Sequence, residues 1–258
     1  MNVERKLKPL TFLSMFFRSF FIQAVWNYQS MLSIGFCFAL VPVAKRLFKD
    51  REKQREFYKR HLNFFNAHPY FSSFALGAIA RLEEDLVLEG KEDYIKIDRF
   101  KNALIGPLGA IGDQLVWATV KPASILIGLL GVILIPDFDT QVLFLFVILL
   151  LYNIPHLYIR MIGLIKGYQS GFEIYKALTP DKYRTIKNVY GSLGALALGV
   201  IFAYSLLKSG EANIFYAIVF ALSFLSAYFY KKWWHSVYRS LVFPIIFAVI
   251  LGLVIENI

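Results

Sequence analysis

Asp113 is the residue of this chain whose chemistry is hardest to assign to packing. It lies in the apolar run 104–122, LIGPLGAIGDQLVWATVKP, directly after Gly112 and downstream of Gly106, Pro107 and Gly109. Glycine lets two backbones approach closely, and proline lacks an N–H and crowds the preceding turn, so the helical ladder is predicted to break or kink here. Polar groups freed by such a break are tolerated at bilayer depth only where protein or a water-filled cavity satisfies them. An ionisable side chain there is a candidate for handling a polar solute, and discontinuous helices of this kind build many transporter sites. A structural reading stands beside this one with equal weight. In it Gly112 and Asp113 form a turn and cap, the carboxylate accepts N–H groups of a helix beginning at Gln114, and the glycines pack helices.

Other polar residues punctuate apolar sequence upstream. Arg18, Gln23, Asn27, Gln29, Ser30 and Ser33 interrupt residues 12–43, with Trp26 among them and Pro42 near the end. A lipid-exposed span would not be written this way, so two short helices or a re-entrant hairpin are predicted. Lys6 and Lys8 before the segment and Lys45 and Arg46 after it put both ends at one membrane face. Residues 69–82 form an apolar core too brief to span, preceded by His61, Asn63, Asn66 and His68. These can bind substrate or cap neighbouring helices. Pro69 disrupts the two-turn spacing of the two histidines, and no Cys, Asp or Glu cluster completes a metal site, so neither metal nor cofactor is expected. A GxxxxGK[ST] loop, a nucleophile elbow and paired carboxylates in an evident cleft are likewise missing, which argues against catalysis on a substrate.

The elements that must position these residues follow from hydropathy. With 258 residues, 57% of them hydrophobic and 17% aromatic, the chain is too apolar for a soluble domain of its size. The net charge of +10 flanks apolar segments and forms no nucleic-acid-reading motif, so it reads as membrane topology. No signal-peptide cleavage site is evident, and the lone Cys37 reads as a small buried hydrophobe. The charged runs 45–60 and 81–101 are predicted as cytoplasmic surface helices and loops, the first also a possible docking site for a soluble partner. The connection PDFDT, purely acidic, faces outward. Residues 141–165 cross back with a kink at Pro155, Asn153 and His156 turned inward or to the interface, and Arg160 snorkelling. A polar loop at 166–188 and apolar segments at 189–207, 214–230 and 241–255 follow, with basic aromatic residues at 231–239 and a small-residue face from Gly191 to Gly199. The expected fold is an all-α membrane protein, a multi-span bundle with short re-entrant or broken helices and cytoplasmic surface helices. Residues 1–188 form its broken-helix core region and 189–258 its packing helices.

GPLGAIGDQLVWATVKP, residues 106–122, resembles the GPLAGxGDxxxWGTxRP signature of membrane subunit IID of the mannose-fructose-sorbose type sugar phosphotransferase system. WNYQSMLSIGFCFALVP (26–42), RHLNFFNAHPYFSSFALGAIARLEE (60–84) and KGYQSGFEI (166–174) look like successive blocks of that family in order. Matches in order are far more specific than any one alone, and these cover roughly the first two thirds of the chain. The resemblance implies a multi-pass protein of the bacterial inner membrane. It pairs with membrane subunit IIC as a heterodimer, trimerises further, and carries a hexose while soluble IIA and IIB relay phosphate on their own histidines. His61, His68, His156 and His235 are then not phosphorylation sites. Asn27, Gln29, Asn66 and Asp113 would line the polar route shared with IIC, because sugar hydroxyls need donors and acceptors held between aromatic faces such as Trp26 and Trp117. Gly106, Pro107, Gly109 and Gly112 would shape the backbone there. The family usually has glutamine where this chain has Leu32, which leaves open a regulatory or sensory subunit without productive transport.

Overall fold

Local capping chemistry sets some of the helix ends. A computed structural model describes residues 5–179, 181–208 and 246. The helices are α1 (Pro9–Ser19), α2 (Ser33–Leu47), α3 (Arg51–His61), α4 (Ser72–Glu89), α5 (Tyr94–Gly112), a π-helical segment (Asp113–Val120), α6 (Lys121–Leu134), α7 (Phe138–Ser170), a 3-10 segment (Gly171–Ala177) and α8 (Asp181–Lys208). Asp50 caps α3 by accepting from the Glu52 N–H at 3.1 Å, and Asp137 caps α7 by accepting from Thr140 at 2.8 Å. Gly90 closes α4 in the left-handed region, φ 66°, where a side chain is strained. Residues 12–43 form two short helices, as predicted, joined by turns over residues 20–32. The expected segments at 214–230 and 241–255, the basic aromatic stretch and His235 lie outside the described residues. The chain divides into two units, Met1–Ala197 and Leu198–Ile258, and the first holds every candidate site residue.

α4 is the centre of the first unit. Its residues 72–80 are all buried, and it packs along α7 with almost no side chain between the two backbones. A Cβ on Gly77 would run into the Leu164 carbonyl and the Tyr168 nitrogen. One on Gly167 would meet the Phe74 carbonyl and the Ala78 nitrogen, and one on Gly163 the Ser73 hydroxyl. Small residues four apart on α7 thus let two helices touch at backbone distance, where dispersion supplies the attraction.

Beyond that contact, α4 carries three consecutive acids, each holding a different neighbour. Glu83, fully buried, accepts from Arg60 Nε at 2.8 Å, Arg60 Nη2 at 2.6 Å and His61 Nε2 at 2.9 Å, fixing α3. Glu84 accepts from the Leu7 N–H at 2.7 Å and from the Tyr168 hydroxyl, fixing the N-terminal arm and α7. Asp85 pairs with Arg5 and with Arg81, the latter at 2.8 Å. Burial holds His61 neutral, its pKa lowered despite Glu83. Glu83 is desolvated too, but the hydrogen bonds from Arg60 and His61 outweigh that and hold its carboxyl below the ordinary range.

Among the described residues three helices are long and apolar enough to cross a membrane: Tyr94–Leu134, Phe138–Ala177 and Lys182–Ser205. α6 and α7 form a hairpin in which Gln141 Nε2 donates to the carbonyls of Ile135 at 2.6 Å and Val132 at 3.1 Å. Pro155 lies inside α7 and leaves the carbonyl four residues back, that of Leu151, without its helical donor; the Tyr190 hydroxyl of α8 supplies one at 3.2 Å. Arg160 does not snorkel as expected. It is 3% exposed, donates from Nη1 to the Ser19 carbonyl and, at 3.1 Å, to the Ser19 hydroxyl, and lies over the rings of Phe20 and Tyr70. Those partners satisfy part of the guanidinium inside the protein, so it need not reach the interface.

The break predicted at residues 106–112 is also corrected. Helix runs unbroken through Pro107, and the departure from α geometry comes at Asp113–Val120 as wide π turns. Those turns lie directly upstream of Pro122, whose ring would crowd the carbonyl of residue 118 in an ordinary α turn. The Lys121 N–H accordingly reaches back five residues to Val116, and the Thr119 hydroxyl donates to the Gln114 carbonyl at 2.9 Å.

The Glu83 cluster sets a pH dependence. The unfolded chain takes up a proton on His61 near pH 6.5 that the folded chain refuses, and one on Glu83 near pH 4.3, so stability falls as pH falls through both ranges. The thermal midpoint of the detergent-solubilised protein is expected to decline from pH 7.5 to 4. Glu83→Gln is expected to destabilise the fold by about 3 kcal/mol at pH 7, through the uncompensated Arg60, and so to lower the midpoint there. A midpoint flat across that interval, or unmoved in the variant, contradicts the assignment.

Candidate functional site

The turn before α2 is built on the side chain of Asn27. Its Oδ1 accepts from the N–H groups of Gln29 at 3.0 Å and Ser30 at 2.8 Å, and its Nδ2 donates to the Ser30 hydroxyl at 3.1 Å. This Asx turn holds Met31 at φ 55°, a left-handed conformation unusual for a non-glycine residue, and returns the Met31 N–H to the Asn27 carbonyl at 2.9 Å. Asn27 is thereby committed to shaping the loop, while the Gln29 side chain and Trp26 are exposed beside it.

Backbone pairing joins this turn to the second motif. The Leu32 N–H donates to the Phe65 carbonyl at 2.9 Å and the Phe65 N–H to the Ser30 carbonyl at 3.4 Å, with the buried Phe65 ring 4.2 Å from that of Phe36. Asn66 follows and is exposed. Leu32 is 3% exposed and packs in the core, so its side chain faces no open route. From the other side, Lys101 of α5, itself buried, donates to the Asn63 carbonyl at 3.3 Å and sets α5 against residues 63–66.

His68 links the second motif to the third. It is 1% exposed and its Nδ1 accepts from the Tyr70 N–H at 3.2 Å, which places the imidazole proton on Nε2. Burial, reinforced by Arg160 and His156, pushes its pKa down to about 3, so it is neutral at physiological pH. Its Cβ and Cγ occupy the space a side chain on Gly112 would need, and its ring centroid lies 5.1 Å from that of Trp117. The glycines therefore divide. Gly112 is required by contact with His68, whereas a Cβ on Gly106 or Gly109 meets nothing within 4 Å among the described residues.

Asp113 follows Gly112 in helical conformation and caps nothing, so the turn-and-cap reading fails with the broken-helix one. Its side chain is exposed, next to exposed Gln114 and one helical turn from Trp117, which is 49% exposed. A carboxylate, an amide and an indole thus share one exposed face of a membrane-length helix, where contact with lipid would be costly. Trp26, Gln29, Asn66, Asp113 and Trp117 all lie on the surface of the chain, tied together from beneath by Asn27, Phe65 and His68. Sequence reasoning missed His68 as the joint. Its signal is a histidine directly before Pro69 at the start of an apolar run, which points to substrate binding or capping without naming Gly112 and Trp117 as its neighbours.

Residues 6–207 match the PTS system mannose/fructose/sorbose family IID component. The chain belongs to this family. It is 31% identical over 201 residues to the mannose-specific EIID component of Escherichia coli K12, covering 78% of this chain and 69% of that protein. Likeness of the same order, 31% over 202 residues, relates it to the sorbose-specific EIID component of Klebsiella pneumoniae, covering 77% and 70%. Among solved structures it resembles a chain of the mannose transporter ManYZ in complex with microcin E492, with a TM-score of 0.59, 31% identity, and 77% and 71% of the two chains covered. The chain is a membrane subunit of a sugar phosphotransferase system, and the helical multi-span fold agrees with that assignment.

The Gly112 contact generates a contrast. Gly112→Ala is expected to displace His68 and lower the folding stability of the purified protein by about 1–3 kcal/mol. Gly109→Ala, with open space around it, is expected to leave it unchanged or slightly raised. Equal melting midpoints for the two variants would remove His68 as the joint.

Proposed function

We propose that this subunit forms, with a second membrane subunit of the IIC type, the passage through which a hexose reaches the cytoplasm, coupled to phosphorylation by soluble IIA and IIB. The reading is carried by the exposed face of Asp113, Gln114 and Trp117 on a helix otherwise apolar enough to span the bilayer. A companion protein and a hydrated route cover such a face at far lower cost than lipid. The carboxylate and amides offer acceptors and donors to sugar hydroxyls, and Trp26 and Trp117 offer apolar faces to the ring.

In this account the chain performs no covalent chemistry. Phosphoryl transfer takes place on IIB, and the heterodimer assembles further as a trimer in the bacterial inner membrane. Residues 1–188 carry the route, and 189–258 belong to a scaffold part. Gly106 and Gly109, exposed or half-exposed and without contacts of their own, leave room for the companion backbone. The buried position of Leu32 weighs against the regulatory alternative, since the glutamine it replaces is no loss from an open polar route.

Asp113→Asn and Asp113→Ala are expected to cut uptake of labelled mannose by roughly 10- to 100-fold in cells expressing the partner subunits, from loss of a charge-assisted hydrogen bond. The variants should reach the membrane in normal amount and still copurify with the companion subunit. Wild-type uptake in both would end the proposal.

A further inference from the structure

The hairpin of α6 and α7 leaves an apolar groove of about 460 Å³ that the site above does not use. Ile125, Val132, Leu145 and Leu149 line its walls, all more than 40% exposed. Gly128 forms its floor, where even a Cβ would come within 3.5 Å of Leu145. Both helices are of membrane length, so the groove opens where acyl chains are the solvent. From Lys121 to Val132 the α-helical rise gives it a length of roughly 16 Å.

One end of this groove is charged. Lys121 lines it and is exposed, and among the described residues no carboxylate pairs with it. Nearby hydroxyls are already committed: Ser124 donates to the Val120 carbonyl at 2.8 Å, and Tyr152 shares a hydrogen bond with Tyr70 at 2.8 Å. With the turn at 135–137 facing outward, as its purely acidic sequence predicts, Lys121 is at the inner-leaflet end of the groove, and its stem can carry the ammonium toward the headgroup layer.

We propose that this groove is a binding site for an anionic phospholipid of the inner leaflet, its phosphate on Lys121 and one acyl chain laid along Gly128 toward Val132. The order of groups matches the ligand: a cation, then an uninterrupted apolar channel. A helix of another subunit would instead have to bring a carboxylate to the same depth to neutralise Lys121, a costly burial that lipid phosphate avoids. Lysine binds phosphate as a point charge, which suits a mobile headgroup.

The test uses the full chain, with any subunit that copurifies, reconstituted in nanodiscs of phosphatidylcholine containing a minor share of phosphatidylglycerol. Phosphatidylglycerol retained after transfer to mild detergent is counted by native mass spectrometry. Wild type is expected to hold it well above its bulk share and Lys121→Arg to keep it, whereas Lys121→Gln should lose about fivefold. Gly128→Leu, which fills the groove, should hold none above the bulk share. Retention at the bulk share in wild type, equal retention in Lys121→Gln, or a photo-crosslinker at Ile125 that captures protein and no lipid would each overturn the proposal.

Discussion

The backbone contact between α4 and α7 is the constraint from which the rest of the first unit follows. Gly77 on one helix and Gly163 and Gly167 on the other bring the two helices together at backbone distance, and a methyl group at any of them would strike the opposing helix. Once α7 is fixed in that position, Arg160 points into the protein toward Ser19 and Tyr168 reaches Glu84. α1 and the N-terminal arm are thereby fastened to the same pair of helices. Membrane helices gain little from hydrophobic transfer when they associate, so close backbone packing of this kind is the attraction available to them.

The acids at the far end of α4 extend this hold to the charged periphery. Three consecutive carboxylates would repel one another if they faced one direction; on a helix they point about 100° apart, and here each meets its own cation or donor. Glu83 joins α3, and through His61 and the stretch that follows it carries the chain to Phe65, Asn66 and His68. The position of the candidate site is thus set by a scaffold of buried contacts that the site residues themselves do not make.

Much of this was legible in the sequence, for identifiable reasons. Apolar runs of bilayer length, the acidic PDFDT turn and the interrupted segment 12–43 gave the helices and their order, because hydropathy and length act locally. The backbone of residues 106–122 departs from the sequence expectation in detail. Proline at 107 was expected to break the helix, yet the ladder passes through it and widens upstream of Pro122. The Gly163 and Gly167 pair was legible as a small-residue motif but was overlooked in favour of the richer Gly191 to Gly199 face. Arg160, His68 and Glu83 were not legible, since their roles depend on partners 141, 44 and 23 residues away, and no local pattern announces such pairings. Among the site residues, Asn27 turned from a proposed sugar ligand into the keystone of a turn, whereas Gln29, Asn66 and Asp113 kept free side chains.

The central claim is that Asp113 borders water and a companion subunit, not lipid. A cysteine placed at that position, with the native Cys37 replaced by serine, reports its surroundings directly. In the assembled complex the account predicts reaction with a small, charged, water-soluble thiol reagent. Labelling confined to lipid-soluble reagents would contradict it.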